Sequence, residues 1–279
     1  MSRDAPTVEV RDLVARYGTR TILQGVDVDV RPGEIRVILG GSGSGKSTLL
    51  KHMIGMIKPA GGEVRLLGEP IGFLDEADRE RVLRRCGVLF QGSALLNSLT
   101  VHENVALPLR QDPTLPPDVI DEIVRMKLAL VELPHAGELF PSELSGGMKK
   151  RAGLARAMAL DPEVLFCDEP SAGLDPITAA QLDKLLIALR DRFGMSVVVV
   201  THELASVELI SDRVVMLHKG HIIANGSLED VRTTDHPMVR AFFDRVAELE
   251  APPASVYARL GAPTPSAPDA PSQEAGRWS

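Results

Sequence analysis

The sequence predicts an α/β protein in which a mostly parallel sheet is covered by helices, with an antiparallel β-subdomain beside it and an all-helical segment inserted into it. Short apolar runs at residues 35–39, 164–167 and 196–200 alternate with stretches of helical spacing, the order that parallel strands with crossover helices require. Residues 8–14, 25–30 and 63–67 instead alternate apolar with polar side chains, as half-buried antiparallel strands do. Between Gln91 and Asp161 the strand signal stops and helical spacing takes over.

In chain order, residues 35–39 lead into a glycine-rich loop, and a helix is expected from Gly45 to the break at Pro59-Ala60-Gly61-Gly62. Ile120, Ile123, Val124, Leu128 and Val131 share one face of a helix in the inserted segment. Pro176 suits the first turn of a helix that turns Leu182, Leu185, Leu186 and Leu189 to one side. Residues 213–218 and 221–224 read as a hairpin turning at Lys219-Gly220. Val239, Phe242, Phe243 and Val246 keep helical spacing, and from Ala251 the chain is rich in Pro, Ala and Ser, a composition expected to stay flexible.

Composition excludes several classes of function. With 279 residues, 44% hydrophobic and 25% charged, the chain can bury a sizeable core. A net charge of −7 argues against a nucleic-acid partner, because a polyanion is bound by many Lys and Arg contacts. Cys86 and Cys167 have no nearby Cys or His to make a zinc site or redox pair, which fits a reducing cytosol. The four valines at 197–200 are too few to span a bilayer, so a membrane role is expected to run through a partner.

Gly40-Gly41-Ser42-Gly43-Ser44-Gly45-Lys46-Ser47 matches the phosphate-loop pattern, placed after a strand and opening a helix. Glycines let the backbone turn its N–H groups inward, and the helix N-terminus favours negative charge. Lys46 would reach the β- and γ-phosphates and the Ser47 hydroxyl would ligate Mg²⁺. Residues 164–167 deliver Asp168 and Glu169 to a strand end, where one carboxylate can serve a cation and the other a water. Ser145-Gly146-Gly147 precedes a helix that Ser145 can cap while free N–H groups face an anion. For Lys149, Lys150 and Arg151, added potential for a phosphate competes with an ordinary solvated helix face.

With Gln91, Ser171-Ala172-Gly173-Leu174-Asp175, and His202 after a strand, these motifs stand in the order of the ATP-binding cassette ATPases, the nucleotide-binding subunits of ABC transporters. The chain resembles them over residues 6–235. The resemblance implies a P-loop NTPase (RecA-like) core at 6–90 and 162–237 with the antiparallel β-subdomain, a helical subdomain at 91–161, a terminal helix at 238–250 and a tail at 251–279. It implies ATP and Mg²⁺ as cofactors, with Tyr17 stacking on adenine and Gly40 to Thr48 around the phosphates. Ser145, Gly146 and Gly147 would close over an ATP held by a second copy. Ser47, Gln91 and Asp168 would hold Mg²⁺, and Glu169, His202, Lys46 and Gln91 would form the catalytic set.

Met148 replaces the usual glutamine of the signature, and with Lys149-Lys150-Arg151 and residues 90–101 it looks like the ATPases of Mla and Mce-type lipid transporters. That narrower resemblance implies phospholipid as cargo and integral membrane permease subunits as partners, together with a lipid-binding MCE-domain protein and a small regulatory subunit. It also implies attachment to the cytoplasmic face of the inner membrane through the permease, and a segment, 238–260 with Tyr257, that packs on a neighbouring subunit. An ATPase for an amino-acid or other small-solute importer, or a soluble ABC ATPase, is the alternative.

Overall fold

Strand β3 (Ile35–Leu39) is completely buried and lies at the centre of the main sheet, flanked on one side by β8 (Ser196–Thr201) and on the other by β9 (Arg213–His218). Beyond β8 come β7 (Val164–Asp168) and β6 (Cys86–Leu89), and beyond β9 comes β10 (His221–Gly226). All neighbours pair in parallel except β9 with β10, which form the hairpin read from the sequence. Burial on both faces explains why β3, β7 and β8 are mostly apolar with no alternation, the exception inside a strand being the buried Arg36 of β3.

A second, antiparallel sheet is built from β2 (Arg20–Val30), β1 (Val8–Tyr17), β4 (Gly61–Leu66) and the short β5 (Glu69–Pro70). Helix α1 (Lys46–Met53) packs against strands of both sheets, and its Leu49, Leu50 and Met53 join one core with Val10, Val26, Ile38, Phe166 and Val215. α1 ends at Met53, before the expected break, because Gly55 turns left-handed at φ 68°. Gly61 and Gly62 open β4 instead. A side chain on Gly62 (φ 76°) would lie 2.2 Å from the Asp12 carbonyl, so only glycine passes where β1 bulges.

Between β5 and β6 runs α2 (Glu76–Leu83). The stretch from 91 to 161 carries α3 (Val101–Ala106), α4 (Pro117–Leu130) and α5 (Gly146–Ala157). Ile120, Val124, Leu128 and Val131 are buried as their spacing requires. Then α6 (Pro176–Phe193) starts on Pro176, with the Asp175 carboxylate accepting from the Ile177 and Thr178 amides at 3.1 and 3.0 Å. α7 (Leu204–Ile210), α8 (Leu228–Thr233) and α9 (Pro237–Glu250) complete the described residues.

The computed structural model describes residues 5–250. One compact unit ends at Arg240 and contains both sheets, and a second begins at Ala241 within α9, where Phe242 and Phe243 meet edge to face at 5.5 Å. The tail at 251–279, and with it Tyr257 and the rest of the 238–260 segment beyond Glu250, lies outside the described residues.

Asp183 of α6 is 2% exposed, with one carboxylate oxygen unpartnered. Burial pushes its carboxyl above the ordinary value and the Glu203 charge adds to this, while the Ser206 hydroxyl opposes it. The folded chain therefore holds this proton more strongly than the unfolded chain, so the contribution to stability falls as pH rises from the unfolded value of 3.8 through the raised folded one. Asp183→Asn should accordingly melt at a higher temperature than the parent at pH 7, with the gap closing toward pH 4. A lower melting temperature at pH 7 would contradict this.

Candidate functional site

Sheet register brings the predicted site together. Leu39 at the end of β3 pairs with Thr201 at the end of β8, and Asp168 at the end of β7 pairs with Val200. The loops that carry Gly40 to Gly45, Glu169 and His202 therefore leave the same, carboxyl edge of the sheet, where open α/β sheets bind ligands.

The glycine loop is built to be narrow. Gly40, Gly43 and Gly45 have φ of 155°, 72° and 112°, and a side chain on Gly40 would meet the Leu217 carbonyl at 2.4 Å. Ser44 is pinned by its carbonyl, which accepts from the Gly220 amide at 3.0 Å. No side chain caps α1 behind Gly45, so its first N–H groups keep their capacity for an anion. The Lys46 ammonium is folded back on the loop and donates to the Gly40 and Gly41 carbonyls at 2.7 and 3.2 Å. Burial holds it below the ordinary lysine value, against the pull of Glu169 and Asp168. A phosphate is the chemistry such a lysine and such N–H groups can receive.

Across from it, Asp168 carries a buried oxygen, Oδ1, with no partner. Burial and the neighbouring Glu169 charge push its carboxyl up, while Lys51, Lys46 and the Ser47 hydroxyl pull it down. This excess of negative charge fits a divalent cation. Among the described residues no group of three or more His, Cys, Asp or Glu could hold a metal. Glu169 is 8% exposed, sits at φ 48°, and accepts from His202 Nδ1 through both carboxylate oxygens at 2.9 and 3.0 Å. The His202 side chain is 58% exposed and so can reach a ligand at the edge. Tyr17, at the end of β1, is 49% exposed.

Ser145 caps α5, its hydroxyl accepting from the Met148 amide at 3.2 Å. A side chain on Gly146 would meet Leu174, and one on Gly147 would meet Thr178, so this helix start lies against the loop before α6 and the first turn of α6. The glycine loop has other neighbours, Leu23, Leu217 and Gly220.

Two sequence readings need correction at Lys150 and Arg151, for which a phosphate and a solvated face were the choices. Lys150 is 5% exposed and donates to the Gln91 and Glu169 carbonyls at 2.6 and 2.9 Å. Arg151 bonds the Val131 carbonyl at 3.1 Å and pairs with Glu132. Both cations satisfy loop carbonyls that no periodicity argument addresses. Asn104 and Arg156 went unread for the same reason. The Asn104 amide bonds Leu96 and Thr100, and Arg156 donates to Ser93 and Ala94 at 2.7 and 2.6 Å, where both backbones are left-handed. The loop after the exposed Gln91 is thus held by side chains of α3 and α5.

The sequence pattern of the ABC transporter family matches residues 23–172 of this chain. The chain belongs to the ABC transporter family. This ABC cassette binds and hydrolyses ATP, and is 40% identical over 248 residues to the intermembrane phospholipid transport system ATP-binding protein MlaF of Escherichia coli K12, covering 89% of this chain and 92% of that protein. It is 38% identical to a probable ribonucleotide transport ATP-binding protein, mkl, of Mycobacterium leprae, covering 85% of this chain and 68% of that protein. Of the Mycobacterium tuberculosis mkl the chain spans 66%. Among solved structures, the ATP-binding cassette MJ0796, a dimer in a post-hydrolysis state with ADP and Pi, superposes with TM-score 0.73 at 30% identity, covering 79% of this chain and 98% of that one. The cassette cbiO1 of Clostridium perfringens, part of the cbiONQ complex, gives 0.75 at 28%, covering 92% and 98%.

Proposed function

We propose that two copies of this cassette pair head to tail around two ATP molecules and drive phospholipid movement through a separate integral membrane permease. The observation that carries the pairing is the separation of neighbours: the glycine loop is framed by β2, β9 and the turn at Gly220, while Ser145 to Gly147 lies on the start of α6. The similar cassette solved as a dimer supports it.

In each pocket Gly40, Gly41, Ser42, Gly43, Ser44 and Gly45 supply backbone donors to phosphate oxygens, and Lys46 leaves its two carbonyls for the β- and γ-phosphates. Thr48 and Ser47 follow in the first turn, and Tyr17 stacks on the adenine. Asp168, the Ser47 hydroxyl and Gln91 would hold a magnesium ion together with the phosphates, and the ion would supply positive charge for the transferred phosphoryl. Glu169 orients and accepts a proton from the attacking water, and His202, bonded to it, meets the γ-phosphate end. Ser145, Gly146 and Gly147 of the other copy close the pocket. ATP binds the closed pair better than the open one, and that difference is what closes it.

Similarity to MlaF over 92% of that protein, with Met148 in the signature, supports a phospholipid as cargo, and MCE-domain and regulatory subunits as further partners. No helix among the described residues is long and apolar enough to cross a membrane. Similarity to MlaF supports attachment to the inner face of the membrane through the permease. The mkl relatives favour a second cargo, a ribonucleotide. Complex purified from native membranes should carry phospholipid, and its phosphate release should rise with phospholipid vesicles and not with added ribonucleotides. The reverse response would replace the lipid reading with the second one.

A further inference from the structure

Lys150 ties three parts of the molecule with one side chain. It stands in the first turns of α5, five residues after Ser145, and its ammonium donates to the carbonyl of Gln91 at 2.6 Å and to that of Glu169 at 2.9 Å. It is 5% exposed, and among the described residues it forms no ion pair. An unpaired cation buried this far is costly unless its bonds do something that packing alone does not need.

What those bonds hold is the backbone of Glu169. Its left-handed φ of 48° is unfavourable for a residue with a side chain, and three bonds to its backbone oppose its relaxation. On the amide side Glu169 donates to the Val200 carbonyl at 2.8 Å, which belongs to the rigid sheet. On the carbonyl side it accepts from the Ala172 amide of its own loop at 3.3 Å and, more closely, from Lys150, which belongs to the helix that begins with the signature. Rotation of that peptide would swing the carboxylate that accepts the His202 bond.

We propose that Lys150 is a positioning residue for ATP hydrolysis, coupling the direction of the Glu169 carboxylate to the placement of the signature helix and the Gln91 loop. This rests on the reading of Glu169 as the group that acts on water. A shift of the Gln91 loop would be felt at Glu169 through a single ammonium, without any contact to nucleotide. Displacing a catalytic group by about 1 Å can lower a rate by about 10²-fold, which sets the scale of the effect.

The test uses the full chain with MgATP and compares Lys150→Met, Lys150→Arg, Glu169→Gln and the double variant Lys150→Met/Glu169→Gln. Lys150→Met should lower kcat about ten- to a hundredfold with KM for ATP and the melting temperature little changed, and Lys150→Arg should recover much of the loss. In single-turnover measurements the double variant should be no slower than Glu169→Gln alone, since Lys150 acts through that carboxylate. Equal kcat for Lys150→Met and parent, or losses that multiply in the double variant, would overturn the inference. If Glu169→Gln itself keeps full turnover, the reading beneath the inference fails instead. Should Lys150→Met not fold, Lys150→Gln is measured against the same two outcomes.

Discussion

Glu169→Gln should bind ATP as tightly as the parent yet release phosphate about 10² to 10⁴ times more slowly, with ATP-bound dimers accumulating. The substitution keeps the size of the side chain and a hydrogen bond to His202, but removes the basic oxygen that faces a water. Glu169 is well placed for that role because its amide is locked to Val200 and its carbonyl to Lys150, so little reorganisation is needed when the γ-phosphate arrives. Nucleotide should stay bound because neither the glycine loop nor Lys46 contacts the altered group through a hydrogen bond. Stopped-flow phosphate release and gel filtration with ATP measure the two halves. Undiminished turnover would remove Glu169 from the chemistry.

Lys46→Ala should fail at an earlier step. A hydrogen bond to a charged group contributes about 1.5–3 kcal/mol, so ATP affinity should drop roughly ten- to a hundredfold and turnover should vanish at ordinary nucleotide concentration. In the nucleotide-free chain the ammonium already has two carbonyl partners, so the variant loses those bonds as well, and its melting temperature serves as the control. Fluorescent-nucleotide titration reads the affinity. Retained affinity with lost turnover would mean that Lys46 touches only the transition state.

Much of the fold was legible in the chain because strands buried on both faces are mostly apolar, and residues 35–39, 164–167 and 196–200 are so apart from Arg36 and Ser196. The four-residue β6 escaped reading. It is short, follows Arg84-Arg85, and alternates half-buried with buried positions at the edge of the sheet. The end of α1 was placed too late because Gly61-Gly62 looks like a helix stop, yet Gly62 is needed for a close crossing of β1. Within the site, the residues proposed to meet phosphate sit in short local motifs, and those the sequence exposes. Lys150, Arg156 and Asn104 donate to carbonyls 59, 63 and 8 residues away, and such partners leave no periodic trace.

That each pocket takes one wall from each copy can be tested by mixing chains that are inactive alone. Lys46→Ala spoils the loop of its own chain, and Ser145→Arg spoils the wall lent to the other. In a two-fold pair of one of each, one pocket is doubly broken and the other is wholly intact. Phosphate release from an equal mixture should therefore reappear at up to about a quarter of the parent rate, since half the pairs are mixed and each has one sound pocket. A mixture as inactive as either variant alone would contradict the shared pocket.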